Sequence, residues 1–361
     1  MFDEGERNRG QEHGRDDERS GLEVLDQTGT RVLRDQTPVG EEEDAVEPQS
    51  RALARPWSER TTGEAVAYDP AVEDLRVETE GIMLAGSYSP AGGTVVVALH
   101  GAGEGTREMF LYEHLHEALP PAGIGVVTFD RRGEGESTGD ASRGRFDVQA
   151  RDALAVLEAV DAERAGLWGV SQGGWIGPIA AAQSDRVAFL VLIASTGVTP
   201  SEQMMYAVAE QIHRDGYGES AVEQALDLRR RFEDCVHGRE VDEEKLKADL
   251  VAVLDEPWAS HLFLPPMLLD DEGRRLWIDE MDFDPRPVFA RTRVPALLFY
   301  GADDGWTPVG PSVEAWRAAR GDEVEIVVIP GASHELTLPD GTIAPVYERT
   351  VIDWLSRLEE D

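Results

Sequence analysis

One cysteine, Cys235, and two lysines, Lys245 and Lys247, are all that the 361 residues hold of either type. A single thiol excludes an internal disulfide and a cysteine-based zinc site. No run of about 18 apolar residues occurs, so no membrane-spanning helix is expected. Residues 1–7 lack the basic start and apolar stretch of a secretory signal, which makes the cytoplasm the expected compartment. The eight histidines include no His-x-x-x-His pair, and His114 and His116, two apart, suit a helix surface poorly as a chelate. No metal and no cofactor are expected.

Positive charge is scarce as a whole. Against 34 Lys and Arg stand 71 Asp and Glu, a formal net charge of -37 at pH 7. Such a surface repels phosphate backbones and anionic lipid, so neither nucleic acid nor a membrane is an expected partner. The carboxylates recur along the chain, as at 240–244 and 279–284, instead of gathering in one tail. This composition resembles that of proteins from salt-adapted organisms, in which salt screens the self-repulsion.

What is present is a core-forming chain, with 41% hydrophobic residues. Residues 1–65 are charged, dotted with glycine and poor in aromatics; they bury too little to offset ordering entropy and read as a disordered tail, with a short element possible only around 21–33. From residue 66 the pattern changes. Segments 74–79 and 82–88 read as an antiparallel pair across Glu80 and Gly81. Near-continuous apolar runs at 94–99, 125–129, 187–193, 296–300 and 324–329 read as strands buried on both faces, and helical spacing fills 148–160. This alternation predicts an α/β fold: a mostly parallel central sheet with helices on both faces, formed by 66–198 and 283–361. Residues 199–282 break the alternation. They contain helical patterns only, rich in methionine and aromatics, and read as a helical cap inserted in the core and lining an apolar pocket.

The chemistry is carried by Gly169-Val170-Ser171-Gln172-Gly173, between a short apolar strand at 165–168 and a small-residue helix at 174–182. A serine on a sharp strand-to-helix turn stands over the sheet, and glycines on both sides permit the strained backbone. Serine needs a base, and the base an orienting carboxylate. His334, in the loop after the last strand and before the terminal helix, has the topological place of that base. The other histidines fall in the tail, in a helix or in the insertion, and His100 lies too close to a strand end, where it reads as a packing and hydrogen-bonding residue. The acid lies in Gly301-Ala302-Asp303-Asp304. The turn before a proline-ended loop favours Asp304 over its neighbour Asp303. An oxyanion would take two N–H groups, that of Gln172 and one from His100-Gly101-Ala102-Gly103, for which Ala102 is the best candidate.

The run from Phe129 through Asp130-Arg131-Arg132-Gly133-Glu134-Gly135 to Gly139 has a Gly-x-Gly, but no lysine before Ser or Thr and no dinucleotide spacing. It reads as a structural loop at the border of the site, with Asp130 and an arginine buried as a pair.

With these motifs in the order Ser171, Asp304, His334, the chain over 72–358 resembles the α/β-hydrolase superfamily. Trp168-Gly169-Val170-Ser171-Gln172-Gly173-Gly174-Trp175 is similar to esterases related to the prolyl oligopeptidase catalytic domain and to acyl-CoA thioesterase-like hydrolases. The resemblance implies a cofactor-free hydrolase of small-molecule esters, thioesters or amides. The β-propeller of the peptidases has no counterpart in the sequence, and residues 1–65 are too short and too charged for the β-sandwich of the thioesterases. Both departures favour a carboxylesterase. Acyl transfer to another acceptor and a non-catalytic ligand receptor are the other readings. Dehalogenases and epoxide hydrolases carry an aspartate where Ser171 stands.

Overall fold

A hairpin opens the described sheet. The computed structural model describes residues 72–360, apart from 104, 143 and 266, together with the backbone of two short strands, β1 (Glu23–Leu25) and β2 (Arg31–Leu33). Beyond those two strands, the expected disordered tail lies outside the described residues. Strands β3 (Glu73–Thr79) and β4 (Ile82–Ser89) pair antiparallel with Thr79 opposite Ile82. Glu80 and Gly81 between them both have positive φ, 48° and 78°, as a two-residue hairpin turn that follows strand twist requires.

The next strands are the apolar runs. They are β5 (Thr94–Leu99), β6 (Ile124–Phe129), β7 (Arg164–Val170), β8 (Leu190–Ile193), β9 (Ala296–Gly301) and β10 (Val324–Ile329). The sheet order is β1-β2-β10-β9-β8-β7-β5-β6-β4-β3. The six apolar strands are mutually parallel, whereas β4 meets β6 antiparallel. The strand expected at 187–193 pairs with β7 only from Leu190; before that, Val187 and Phe189 are packed into the two cores.

Alternation along β5 explains the layers. Val95, Val97 and Leu99 face one core with α2 (Phe146–Glu158) and α3 (Gly173–Ala181); Val96 and Ala98 face the other with α1 (Phe110–Ala118). Side chains of a strand point alternately to its two faces, so only a strand covered on both can be apolar throughout.

Between β8 and β9 the chain is helical: α4 (Pro200–Arg214), α5 (Glu219–Val236), α6 (Glu243–Ala252) and α7 (Asp271–Met281). Thr199 and Glu202 close a reciprocal capping box at the start of α4, satisfying two backbone donors that the first turn leaves open. The insertion has its own apolar cluster, including Val208, Ile212, Leu228, Leu246 and Trp258. Cys235 is buried in that cluster, where burial raises its thiol pKa. The short α8 (Arg286–Phe289) leads back to the sheet, and α9 (Val309–Arg320) and α10 (Pro345–Glu360) complete its two faces. No described helix is long and apolar enough to cross a membrane.

Candidate active site

The loops after β5, β7, β9 and β10 all leave the carboxyl ends of parallel strands, where open α/β sheets place their ligands. Ser171 sits between β7 and α3 with φ of +54°. A non-glycine residue in the left-handed region is strained, and such strain persists only where surroundings enforce it. Here the Ser171 N–H donates to Ile193 O at 2.9 Å, and Ser171 O accepts from Gly174 N at 2.8 Å. The strand and helix meet so closely that a Cβ on Gly169 would lie 2.6 Å from the Gly173 carbonyl carbon.

The carboxylate of Asp304 and the ring of His334 are in contact, Nδ1 to Oδ2 at 2.8 Å. Asp304 is buried, and its other oxygen, Oδ1, accepts from the N–H groups of Trp306 (2.7 Å) and Thr307 (2.8 Å). Asp303 is exposed instead. In that turn Asp303 N–H donates to Ala332 O at 3.0 Å and Asp304 N–H to Gly301 O at 3.2 Å.

Ala102, Ser171, Gln172 and His334 line one cavity of about 850 Å³. Its apolar walls come from Trp175, Met204, Phe263, Met281 and Trp306, so helices of the insertion contribute to it. Three carboxylates, Glu108, Glu280 and Glu335, also line it, and no lysine or arginine does among the described residues. Burial raises the Glu280 pKa. No group of three or more His, Cys, Asp or Glu among the described residues could hold a metal ion.

His100 lies outside this set. It is buried edge-on against Tyr112 and Phe129, and its pKa is lowered to about 3 by burial and by nearby Arg131. His100 is not among the residues that line the cavity. Asp130 is buried, and its ion-pair partner is Arg107, a partly buried arginine from outside that run. Asp130 accepts mainly from backbone, Arg107 N at 2.9 Å and Glu136 N at 2.8 Å, while the nearest guanidinium nitrogen, on Arg107, is 3.9 Å away. The buried arginine of that loop is Arg131, and it pairs with Glu134.

Several supporting residues gave no sequence signal. Three side chains of α4 hold the acid turn through its carbonyls: Tyr206 Oη donates to Asp304 O (2.8 Å), Gln211 Nε2 to Gly305 O (3.1 Å) and Arg214 Nη2 to Asp303 O (2.9 Å). A Cβ on Gly305 would lie 2.6 Å from Arg214 Nε, so a side chain there would displace the Arg214 guanidinium. Gln149 Nε2 donates to the side-chain oxygen of Gln172 at 3.1 Å and fixes the residue after the serine.

A family model described as "Alpha/beta hydrolase family" matches residues 96–344. The dihydrolipoyllysine-residue acetyltransferase component of an acetoin cleaving system from Pseudomonas putida is 30% identical over 247 residues, 67% of this chain and 59% of that protein. The chain therefore spans about three-fifths of that relative's length. A 2-hydroxy-6-oxononadienedioate/2-hydroxy-6-oxononatrienedioate hydrolase of Paraburkholderia phymatum is 27% identical over 228 residues, 61% of this chain and 74% of that protein. Among solved structures, an esterase of Pyrococcus furiosus superposes with TM-score 0.54 at 16% identity, covering 83% of this chain and 96% of its own. A proline iminopeptidase-related protein of Thermus thermophilus gives 0.53 at 23% identity, covering 80% and 98%. These two likenesses concern the fold.

Proposed function

The chain belongs to the alpha/beta hydrolase family, and on that premise we propose that it hydrolyses carboxylic esters or thioesters of small molecules through an acyl-enzyme on Ser171. The observation that carries this reading is the 2.8 Å contact between His334 Nδ1 and Asp304 Oδ2, at the edge of the cavity that also holds left-handed Ser171. In the reaction, Ser171 Oγ attacks the carbonyl carbon while His334 Nε2 takes its proton. Asp304 keeps the Nδ1–H tautomer and stabilises the imidazolium. The tetrahedral oxyanion is received by the N–H groups of Ala102 and Gln172. The leaving alcohol or thiol departs with the proton from His334. Water, deprotonated by the same ring, then attacks the acyl carbonyl and releases the acid and free Ser171. Turnover of p-nitrophenyl esters of graded chain length tests the reading; a folded protein inert to the whole series would contradict it.

The charge of the cavity bears on substrate class. With Glu108, Glu280 and Glu335 as its charged lining, an added carboxylate on the acyl chain meets like charge in a partly enclosed space. Neutral esters should therefore show kcat/KM roughly tenfold or more above anionic ones of equal length, and Glu280→Gln should narrow that gap. Equal rates for the two classes would contradict this. A dioate, as in the name of the Paraburkholderia relative, is accordingly a poor fit to this cavity. Acyl transfer to an acceptor other than water is a second reading, favoured by the name of the Pseudomonas relative; added alcohols or amines would then divert acyl groups from hydrolysis.

The excess of carboxylates, a net charge of -37, is proposed to be salt adaptation. Denaturant midpoints should rise with salt as screening shortens the range of repulsion, from about 30 Å at 0.01 M to about 3 Å at 1 M. Undiminished stability in dilute buffer would contradict the proposal.

A further inference from the structure

We propose that Arg131 is a positioning residue for acyl transfer, its guanidinium fixing the peptide that presents the Ala102 N–H to the oxyanion. The inference rests on the Ser171 mechanism above.

Arg131 follows β6 and is 1% exposed. Its Nη2 donates to Gly101 O at 2.5 Å, its Nη1 donates to Gly103 O at 3.1 Å and to Glu134 Oε1 at 2.8 Å, and its backbone N–H donates to Gly105 O at 2.7 Å. One residue thus collects three alternate carbonyls of the loop after β5. Glu134 closes the arrangement, Oε2 accepting from Gly105 N at 2.8 Å. A Cβ on Gly105 would lie 2.6 Å from Arg131 Cβ, so the glycine makes room for the arginine.

The consequence follows from peptide geometry. Gly101 O and the Ala102 N–H belong to one planar trans unit and point in opposite directions. With the oxygen drawn to Arg131, the N–H faces away from it. Gly101 itself borders the serine, since a Cβ built on it would lie 3.6 Å from Ser171 Cβ. Rotating this peptide changes ψ of Gly101 and φ of Ala102, and glycine at 101 lifts the side-chain restriction on the first of the two. Rotated, it would aim a carbonyl where the oxyanion forms, and stabilisation would become repulsion. The rigid fork of a guanidinium can hold two carbonyls and a carboxylate together, which an ammonium cannot match in geometry.

The test uses Arg131→Lys, which retains a cation beside Glu134, and Arg131→Met, both checked for folding by circular dichroism. Hydrolysis of p-nitrophenyl butyrate and binding of phenylboronic acid, which adds to a serine as a tetrahedral mimic, are measured for each. Arg131→Lys should lose about 10- to 100-fold in kcat, less than or equal to the loss on removing one oxyanion donor. KM should stay within about twofold, as expected for an interaction made only in the transition state. Boronate affinity should fall by the same factor as kcat, and the pH dependence of kcat/KM should keep its wild-type shape. Should Arg131→Met fail to fold, Arg131→Lys alone decides. Unchanged kcat in the folded lysine variant, or a loss shared between kcat and KM with boronate binding intact, would overturn the assignment. An inert wild type, or an active Ser171→Ala, would instead overturn the mechanism beneath it.

Discussion

Replacing Ser171 with alanine should lower kcat by about 10⁶ while the protein stays folded, the loss seen when a nucleophile acting as one unit with its base is removed. The expectation comes from position as much as from residue type. Ser171 is held at φ of +54° between a buried strand and a helix start, and it lines the same cavity as His334. Its hydroxyl contributes nothing to the two backbone bonds that hold the turn, from its N–H to Ile193 O and to its carbonyl from Gly174 N. Alanine keeps both bonds, so the melting temperature should change little and the effect should be confined to turnover. Steady-state hydrolysis of p-nitrophenyl butyrate measures it. Activity within tenfold of wild type would remove Ser171 from the reaction.

Asp304→Asn should cost about 10⁴ in kcat, and the structure gives a specific reason. Oδ1 of Asp304 accepts two backbone N–H groups, those of Trp306 and Thr307. An asparagine there must place its amide oxygen on those two donors, which turns its NH₂ toward His334. His334 Nδ1 would then have to accept, and the proton would move to Nε2, the atom required to take the serine proton. The substitution is isosteric, so geometry is preserved and only the tautomer is wrong. Asp303→Asn is the matched comparison: that side chain is exposed, and the contact in its residue that matters is the backbone carbonyl held by Arg214. It should keep kcat within about twofold, as for surface substitutions away from special features. A large loss in Asp303→Asn with a small one in Asp304→Asn would reverse the assignment.

Features that depend on local pattern were legible in the sequence. The apolar runs of β5 through β10 are strands because a strand covered on both faces carries no polar alternation. The turn at Glu80 and Gly81 was marked by its residues, and the candidate serine by glycines on either side. The separation of Asp303 from Asp304 was read from turn chemistry, and in the fold Asp303 is exposed while Asp304 is buried. Contacts made across the fold left no such trace. Arg131 reaches carbonyls 28 and 30 positions away, and Tyr206 reaches one 98 positions away. Those meetings depend on the path of loops and on where α4 crosses the acid turn, neither of which has a periodicity. Which arginine stands beside Asp130 left no trace for the same kind of reason. Arg107 lies 23 positions before Asp130, and backbone N–H groups approach the carboxylate more closely than its guanidinium does.

The most direct test of the central claim is labelling by a fluorophosphonate, which reacts with an activated serine, in high salt with wild type, Ser171→Ala and His334→Ala compared at equal folded concentration. The account predicts labelling of wild type, none of Ser171→Ala, and a severe loss in His334→Ala, with the adduct on Ser171 by peptide mass. Labelling that persists in Ser171→Ala, or its absence from folded wild type, would contradict it.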